Sequence, residues 1–172
     1  MKSAKEITTI SLFVALLIGG QFALSGISGI EIVTVLFTSF CFYFGVLRGT
    51  IVATAFSLLR CFIFGFFPNI ITLYLIYYNL VALIFGLLGN VFLKNVNVKK
   101  LIIIVLLAIC LTVLFTALDL LLMMLFYGFT LKATWAYFIV GLPTLIMQVI
   151  CVTITIALLF APLLKVYKTI KL

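Results

Sequence analysis

The fold of this chain is decided by the stretch Leu58-Leu-Arg-Cys-Phe-Ile-Phe-Gly-Phe-Phe-Pro-Asn-Ile-Ile-Thr-Leu-Tyr-Leu-Ile-Tyr-Tyr-Asn79. Arg60 lies there inside an apolar run, ahead of a Gly-Phe-Phe-Pro-Asn break that three tyrosines follow. A guanidinium within a membrane costs about 2.5–3.5 kcal/mol on the insertion scale, so it normally faces the interior of a helix bundle and finds a partner there. The rest of the sequence should therefore form a bundle that shelters Arg60.

The composition is that of an integral membrane protein. Of 172 residues, 67% are apolar and 8% are charged, whereas a soluble domain carries about 25% charged residues. Because a span needs about 20 apolar residues, the length allows six spans with short loops and no soluble domain. We therefore expect one membrane domain over residues 1–172.

Charge and missing residue types exclude several classes of function. The net charge of +8 would suit a nucleic acid, but the basic residues lie between apolar runs, where the positive-inside rule explains them. Histidine is absent, which removes His-based acid–base catalysis and the common metal and nucleophile motifs. The four cysteines show no CxxC spacing. We expect no enzyme, no metal, no cofactor and no nucleic-acid partner.

The apolar runs predict an all-α bundle of six transmembrane helices. A β-barrel also satisfies its backbone in lipid, but these runs are too long and lack period-two alternation. The predicted spans are residues 7–24, 30–45, 49–65, 70–93, 101–127 and 137–164.

The basic residues predict the orientation of this bundle. One set of alternate ends holds Lys2, Lys5, Arg48, Lys94, Lys99, Lys100, Lys165, Lys168 and Lys171, and the other holds Lys132. By the positive-inside rule, both termini should be cytoplasmic.

With this orientation, polar residues of several spans fall together in the outer half of the membrane. The residues concerned are Glu31, Arg60, Tyr74, Tyr78, Asn79 and Asp119, with Gln148 nearer the midplane. We predict an outward-facing pocket in which Arg60 binds a carboxylate or phosphate and the tyrosines contact a ring. Arg60 with two acids favours an anionic or zwitterionic ligand over a neutral one.

Several of these side chains have an alternative role. Arg60 could pair with Glu31 or Asp119 and hold helices together, and the tyrosines could simply pack. Gln148 could form an interhelical hydrogen bond. Asp119 could relay a proton or a cation, as intramembrane carboxylates often do.

The first span carries small residues at every fourth position. They are Ser11, Ala15, Gly19 and Ala23. Such a stripe lets another helix approach closely, so it could pack inside the bundle or against a partner.

Taken together, these features resemble one family, the substrate-binding S components of energy-coupling factor (ECF) transporters, which import vitamins into bacteria. The resemblance covers essentially the whole chain. It is carried by the six spans, the stripe on the first span, and a central block similar to the second-to-fourth-helix region of such proteins. That block comprises Glu31-Ile-Val-Thr34, Phe44-Gly45-Val-Leu-Arg48-Gly49 and Asn79-Leu-Val-Ala82-Leu-Ile-Phe-Gly86-Leu-Leu-Gly89.

The resemblance implies a non-catalytic subunit of the bacterial plasma membrane that binds a vitamin or related small molecule tightly. A membrane-embedded T subunit and two cytoplasmic ATPases would supply the energy, with Ala15-xxx-Gly19 matching the family's T-subunit contact. It also implies a ligand near the outer surface, at residues 25–29, 64–69, 74–79, 119 and the 128–135 loop, which adds Asn69 and Trp135 to the candidate site. The substrate itself does not follow.

Two other functions stay open from the sequence. The chain could be an autonomous proton- or ion-coupled carrier that uses Asp119 or Glu31. It could also be a ligand-free structural subunit of the membrane.

Overall fold

The computed structural model describes residues 4–92 and 96–169, and these residues form seven α-helices with no strand among them. The helices are α1 (Ala4–Leu24), α2 (Val33–Phe44), α3 (Val46–Leu59), α4 (Cys61–Phe64), α5 (Pro68–Val91), α6 (Val98–Tyr127) and α7 (Leu131–Thr169). α3 and α4 together make one apolar span, Val46–Phe64. Over these residues, five segments are long and apolar enough to cross a membrane, and α2 is a shorter apolar helix. The prediction of an all-helical, multi-pass membrane protein is confirmed at this level.

Several helix boundaries differ from the predicted spans by three or more residues, and two of the differences move candidate site residues. The second helix begins at Val33, so Glu31 precedes it instead of lying within it. The last helix begins at Leu131 and places Trp135 on its first turns, where the sequence predicted a loop over 128–135. Gly128 ends α6 in the left-handed conformation, with φ 65°, and α7 starts three residues later because nothing in Leu131–Tyr137 breaks a helix.

α2 is the central helix of the bundle. Every residue from Val33 to Phe42 is buried, and α2 packs against α1, α3, α5 and α7. α5 approaches the α2–α3 junction through glycines: a Cβ on Gly86 would lie 2.6 Å from the backbone nitrogen of Val46, and one on Gly89 would collide with the Phe42 carbonyl. Membrane helices gain no hydrophobic driving force by packing on one another, so small residues that allow close van der Waals contact are common where they meet.

The length of α2 creates a space at one end of the bundle. Its 12 residues span about 18 Å at 1.5 Å per residue, whereas the hydrocarbon core is about 30 Å thick. The connection of residues 25–32 must therefore descend from the end of α1 to reach α2. The neighbouring helices α1, α5, α6 and α7 continue past the start of α2 and form the walls of the space.

We call this end of the molecule the pocket end and the opposite one the basic end. At the basic end α1 begins, α2 meets α3 at Gly45 (φ 86°), and α7 finishes. Arg48 Nε there pairs with Glu6 Oε1 at 2.7 Å, and Tyr167 of α7 contacts the rings of Phe40 and Phe44. Which side of a membrane the basic end faces stays a prediction from the positive-inside rule.

Candidate functional site

Three adjoining cavities occupy the pocket end, and Gln148 of α7 lines all of them. The inner cavity, of about 50 Å³, is bounded by Glu31, Thr34, Tyr74, Tyr77, Tyr78, Thr112, Phe115 and Gln148. The upper cavity, of about 200 Å³, lies under the 25–32 connection and shares Glu31, Tyr74 and Gln148 with the inner one. The α6–α7 cavity, of about 310 Å³, is bounded by those two helices and contains Asp119. Ligand pockets start at roughly 300 Å³, so the group can accommodate a small molecule.

Glu31 is held at the inner cavity by its neighbours. Its Oε1 accepts a hydrogen bond from Thr34 Oγ1 at 2.7 Å. Its backbone N–H donates to Cys151 Sγ at 3.4 Å, and that thiol donates back to the Glu31 carbonyl at 3.3 Å. Gly29, with φ 83°, packs so closely on α7 that a Cβ would lie 2.6 Å from Met147 Cβ. The 25–32 connection is therefore fixed to α7, and Glu31 with it.

Arg60 lies behind the cavity wall instead of in the cavities. Its side chain is buried, with 7% exposed, and its guanidinium carbon lies 3.8 Å from the centre of the Tyr74 ring and 4.9 Å from that of Phe64. Its Nε donates to Gln21 Oε1 at 3.1 Å, and Gln21 Nε2 donates to the Tyr74 hydroxyl at 2.9 Å. Tyr74 therefore separates the guanidinium from the space that a ligand could enter.

The proposed ion pair between Arg60 and an acid is not formed. Among residues 4–92 and 96–169, the salt bridge is the one between Arg48 and Glu6. Asp119 instead accepts a hydrogen bond from the Tyr137 hydroxyl at 3.0 Å and lines the α6–α7 cavity. Arg60 is stabilised instead by an amide oxygen, to which it donates a hydrogen bond, and by two ring faces. Both are favourable partners for a desolvated guanidinium.

The aromatic wall is larger than the sequence indicated. Tyr74 and Tyr78 line the inner cavity as predicted candidates, and Tyr77 and Phe115 complete it. The rings of Tyr77 and Phe115 meet edge to face with centres 4.9 Å apart. One sequence signal indicates Phe115 as a site residue: it precedes Thr116, which lies on the same helix face as Asp119 three residues later.

Three predicted site residues lie elsewhere. Asn79 donates to the Leu75 carbonyl at 2.9 Å and to Thr54 Oγ1 at 3.4 Å, so it ties α5 to α3. Asn69 accepts from the Tyr127 hydroxyl at 3.0 Å and ties the start of α5 to the end of α6. Trp135 is exposed and lines a separate apolar cavity of about 260 Å³, which shares Leu120 and Phe138 with the α6–α7 cavity.

Several polar side chains at the cavities form no hydrogen bond to the described residues. They include Ser28, Tyr77 and Tyr78 and three side chains that line the α6–α7 cavity. Elsewhere in the spans, threonine hydroxyls typically donate to the carbonyl four residues earlier, as Thr153 does to Val149 at 2.7 Å. Thr116, Thr144 and Gln148 form no side-chain hydrogen bond within the part of the chain that the structure describes, and all three line the α6–α7 cavity. Their polar atoms are accessible, since no fully buried side-chain nitrogen or oxygen of the described residues lacks a partner, and they are available to a ligand.

The small-residue stripe of α1 faces outwards. Ser11, Ala15, Gly19 and Ala23 are all exposed, and a Cβ on Gly19 would meet nothing within 4 Å. The opposite face of α1 is the buried one, through Ile10, Phe13, Val14 and Leu17. Packing inside this bundle is therefore not the role of the stripe.

The arrangement is suited to binding. Over the described residues, no group of three or more His, Cys, Asp or Glu side chains could hold a metal ion. The cavities instead combine two carboxylates, an aromatic wall and unpartnered hydrogen-bonding groups. Comparison of the chain with protein-family models, with curated protein sequences and with solved structures finds no significant match.

Proposed function

We propose that the chain is the membrane-embedded, substrate-binding subunit of a bacterial ECF-type importer for a vitamin or related small molecule. One observation carries the proposal: three adjoining cavities share Gln148 at one end of the bundle and are lined by polar groups that lack protein partners. The unpartnered polar atoms are accessible from the cavities, because every fully buried side-chain nitrogen or oxygen of the described residues has a hydrogen-bond partner. A ligand in the cavities can therefore bind them.

The outward-facing stripe of α1 supports a partner subunit. A helix surface of Ser11, Ala15, Gly19 and Ala23 that no part of this bundle covers permits close packing by another membrane helix. In the proposal, the T subunit packs there and two cytoplasmic ATPases act through it. The chain itself binds its ligand without chemical conversion, in the bacterial plasma membrane.

Assembly through the stripe can be tested by enlarging it. Co-expressed with the T subunit and ATPases of an ECF importer from the same organism, tagged wild-type chain should retain them through affinity purification. Gly19→Trp should lose them, because the ring occupies the volume that the partner helix needs. Gly19→Ala should retain them. Leu106→Trp, at an exposed apolar site of α6, is the matched control for a bulky lipid-facing ring.

Retention of the partners by Gly19→Trp would contradict this use of the stripe.

A second function has one observation in its favour: Asp119, whose protein partner is a tyrosine hydroxyl, lines the largest of the three cavities. A proton- or ion-coupled carrier would use such a carboxylate. Proton-driven uptake by liposomes that contain this chain alone would establish the carrier and overturn the importer subunit.

A further inference from the structure

The cavities hold two carboxyl groups that lack a protein counter-ion. Glu31 lines the inner and upper cavities, and Asp119 lines the α6–α7 cavity. Their side-chain partners are neutral hydroxyls, of Thr34 at 2.7 Å and Tyr137 at 3.0 Å. Neither carboxylate has a basic side-chain nitrogen within 4.0 Å in the described residues.

The basic residues of the pocket end do not supply the missing counter-ion. Arg60 is covered by Tyr74 and Phe64 and lines none of the three cavities. Lys132 is exposed on the first turn of α7 and does not line them either. A carboxylate away from water is costly unless it is paired, and no basic side chain of the described residues lies within 4.0 Å of either one.

The aromatic wall selects for the same kind of partner. Tyr74, Tyr77, Tyr78 and Phe115 surround the inner cavity beside Glu31. Ring faces carry negative potential and attract cations, by about 2 kcal/mol or more where the site is desolvated. The ring of Tyr74 already binds one cation in this way, the guanidinium of Arg60 at 3.8 Å.

The remaining polar groups set further requirements. Gln148 offers both a donor and an acceptor to all three cavities. The inner cavity, of about 50 Å³, has room for a small charged group, and the α6–α7 cavity, of about 310 Å³, has room for a ring. The two are adjacent because Phe115 and Gln148 line both.

From these contacts we infer that the site takes a cationic, ring-containing small molecule, with Glu31 and Asp119 as its counter-ions and Gln148 as its hydrogen-bonding partner. The inference rests on the proposed function as a binding subunit. It reverses the expectation of an anionic or zwitterionic ligand, which assumed that Arg60 faces the pocket. An anionic ligand would meet two carboxyl groups and no basic side chain that lines the cavities.

A charge series on one ring tests the inference. The pyridinium cation 1-methylnicotinamide, neutral nicotinamide and the anion nicotinate are titrated into the purified full-length protein in nanodiscs, with calorimetry as the readout. The cation should bind about tenfold or more tightly than the neutral ring, and the anion should bind weakest. Molecules released by denaturing the purified protein are identified in parallel by mass spectrometry in both ion modes, where a cation is expected.

Variants then locate the preference. Glu31→Gln and Asp119→Asn should each reduce the advantage of the cation over nicotinamide by about tenfold, which is the effect of about 1.4 kcal/mol. Glu6→Gln removes an acid at the basic end and should leave the series unchanged. Thermal unfolding of each variant shows whether it is folded. Gln148→Leu, which keeps both carboxyl groups, should weaken the binding of the cation and of the neutral ring alike.

Equal binding of the three compounds, preference for nicotinate, or no binding of any at millimolar concentration would overturn the cation inference. A co-purified anion or neutral molecule would also overturn it, yet would leave the proposed binding subunit standing. The absence of any bound molecule, combined with the absence of partner subunits, would instead remove the proposed function itself.

Discussion

At the scale of single residues, Arg60 is best understood through the side chains that surround it. Gln21 joins the guanidinium to the Tyr74 hydroxyl, and the guanidinium lies on the Tyr74 ring. Each of the three fixes the other two, so Arg60 positions one wall of the inner cavity without touching its contents. The sequence predicted the burial and depth of Arg60. It could not predict Gln21 as the partner, because spacing along α3 does not encode the rotation of α1.

We expect Arg60→Met to lower ligand affinity several-fold without abolishing binding. Methionine fills the volume, but the Tyr74 ring loses the cation that orients it, and Gln21 Oε1 loses its donor. Losing a buried partner costs about 1–3 kcal/mol, so the melting temperature should fall as well. Calorimetry with the co-purified ligand and thermal unfolding measure the two effects.

Arg60→Lys is the matched control for this substitution. It keeps the charge but not the flat stacking group or the Nε donor, so its affinity should lie between those of wild type and Arg60→Met. Complete loss of binding in Arg60→Met with an unchanged melting temperature would mean that the guanidinium contacts the ligand directly.

At the scale of helices, close contacts join α5 to the α2–α3 junction at the basic end, opposite the cavities. Gly86 and Gly89 bring α5 against Val46 and Phe42. The apolar runs predicted which segments are helical, because length and composition decide that in a membrane. They could not predict that α2 starts at Val33, since Ile30 and Ile32 before it are equally apolar.

Gly89→Ala should destabilise the protein by about 1–3 kcal/mol, the usual cost of overpacking. Its new methyl group would collide with the Phe42 carbonyl, which is backbone and cannot rotate away. The free energy of unfolding in mild detergent, measured with denaturant, checks this. Gly19→Ala is the control: its methyl group meets nothing within 4 Å, and alanine favours a helix, so stability should hold or rise. Equal effects of the two changes would disprove the close α5 contact.

At the scale of the whole molecule, the described lysines other than Lys132 belong to one end of the bundle and the cavities to the other. The up-and-down order of the helices follows from the short connections between consecutive helices. Several predicted site residues, among them Glu31, Asp119 and Gln148, do meet at one end, as depth counting along the spans indicated. Asn79 does not join them, because depth fixes the height of a side chain and not the helix that it faces. Asn69, which the resemblance added, binds Tyr127 of α6 instead.

Sidedness can be tested with cysteines in a Cys110→Ser background. A membrane-impermeant maleimide added to intact bacteria should label Lys132→Cys, at the start of α7. Lys99→Cys, near the start of α6, should react only after the cells are permeabilised. The reason is the positive-inside rule, and gel-shift or mass detection reads the label. The reverse pattern would place the cavities on the cytoplasmic side.

The shortness of α2 has a consequence for how the protein is made. A buried helix of 12 residues is too short to cross the hydrocarbon core by itself, since a crossing takes about 20 residues. A single residue, Gly45, separates it from α3. We therefore expect α2 to leave the insertion machinery together with α3, as a hairpin, and to reach its final depth only when α5 and α7 close around it. Synthesis halted before α5 should leave this hairpin accessible to proteases.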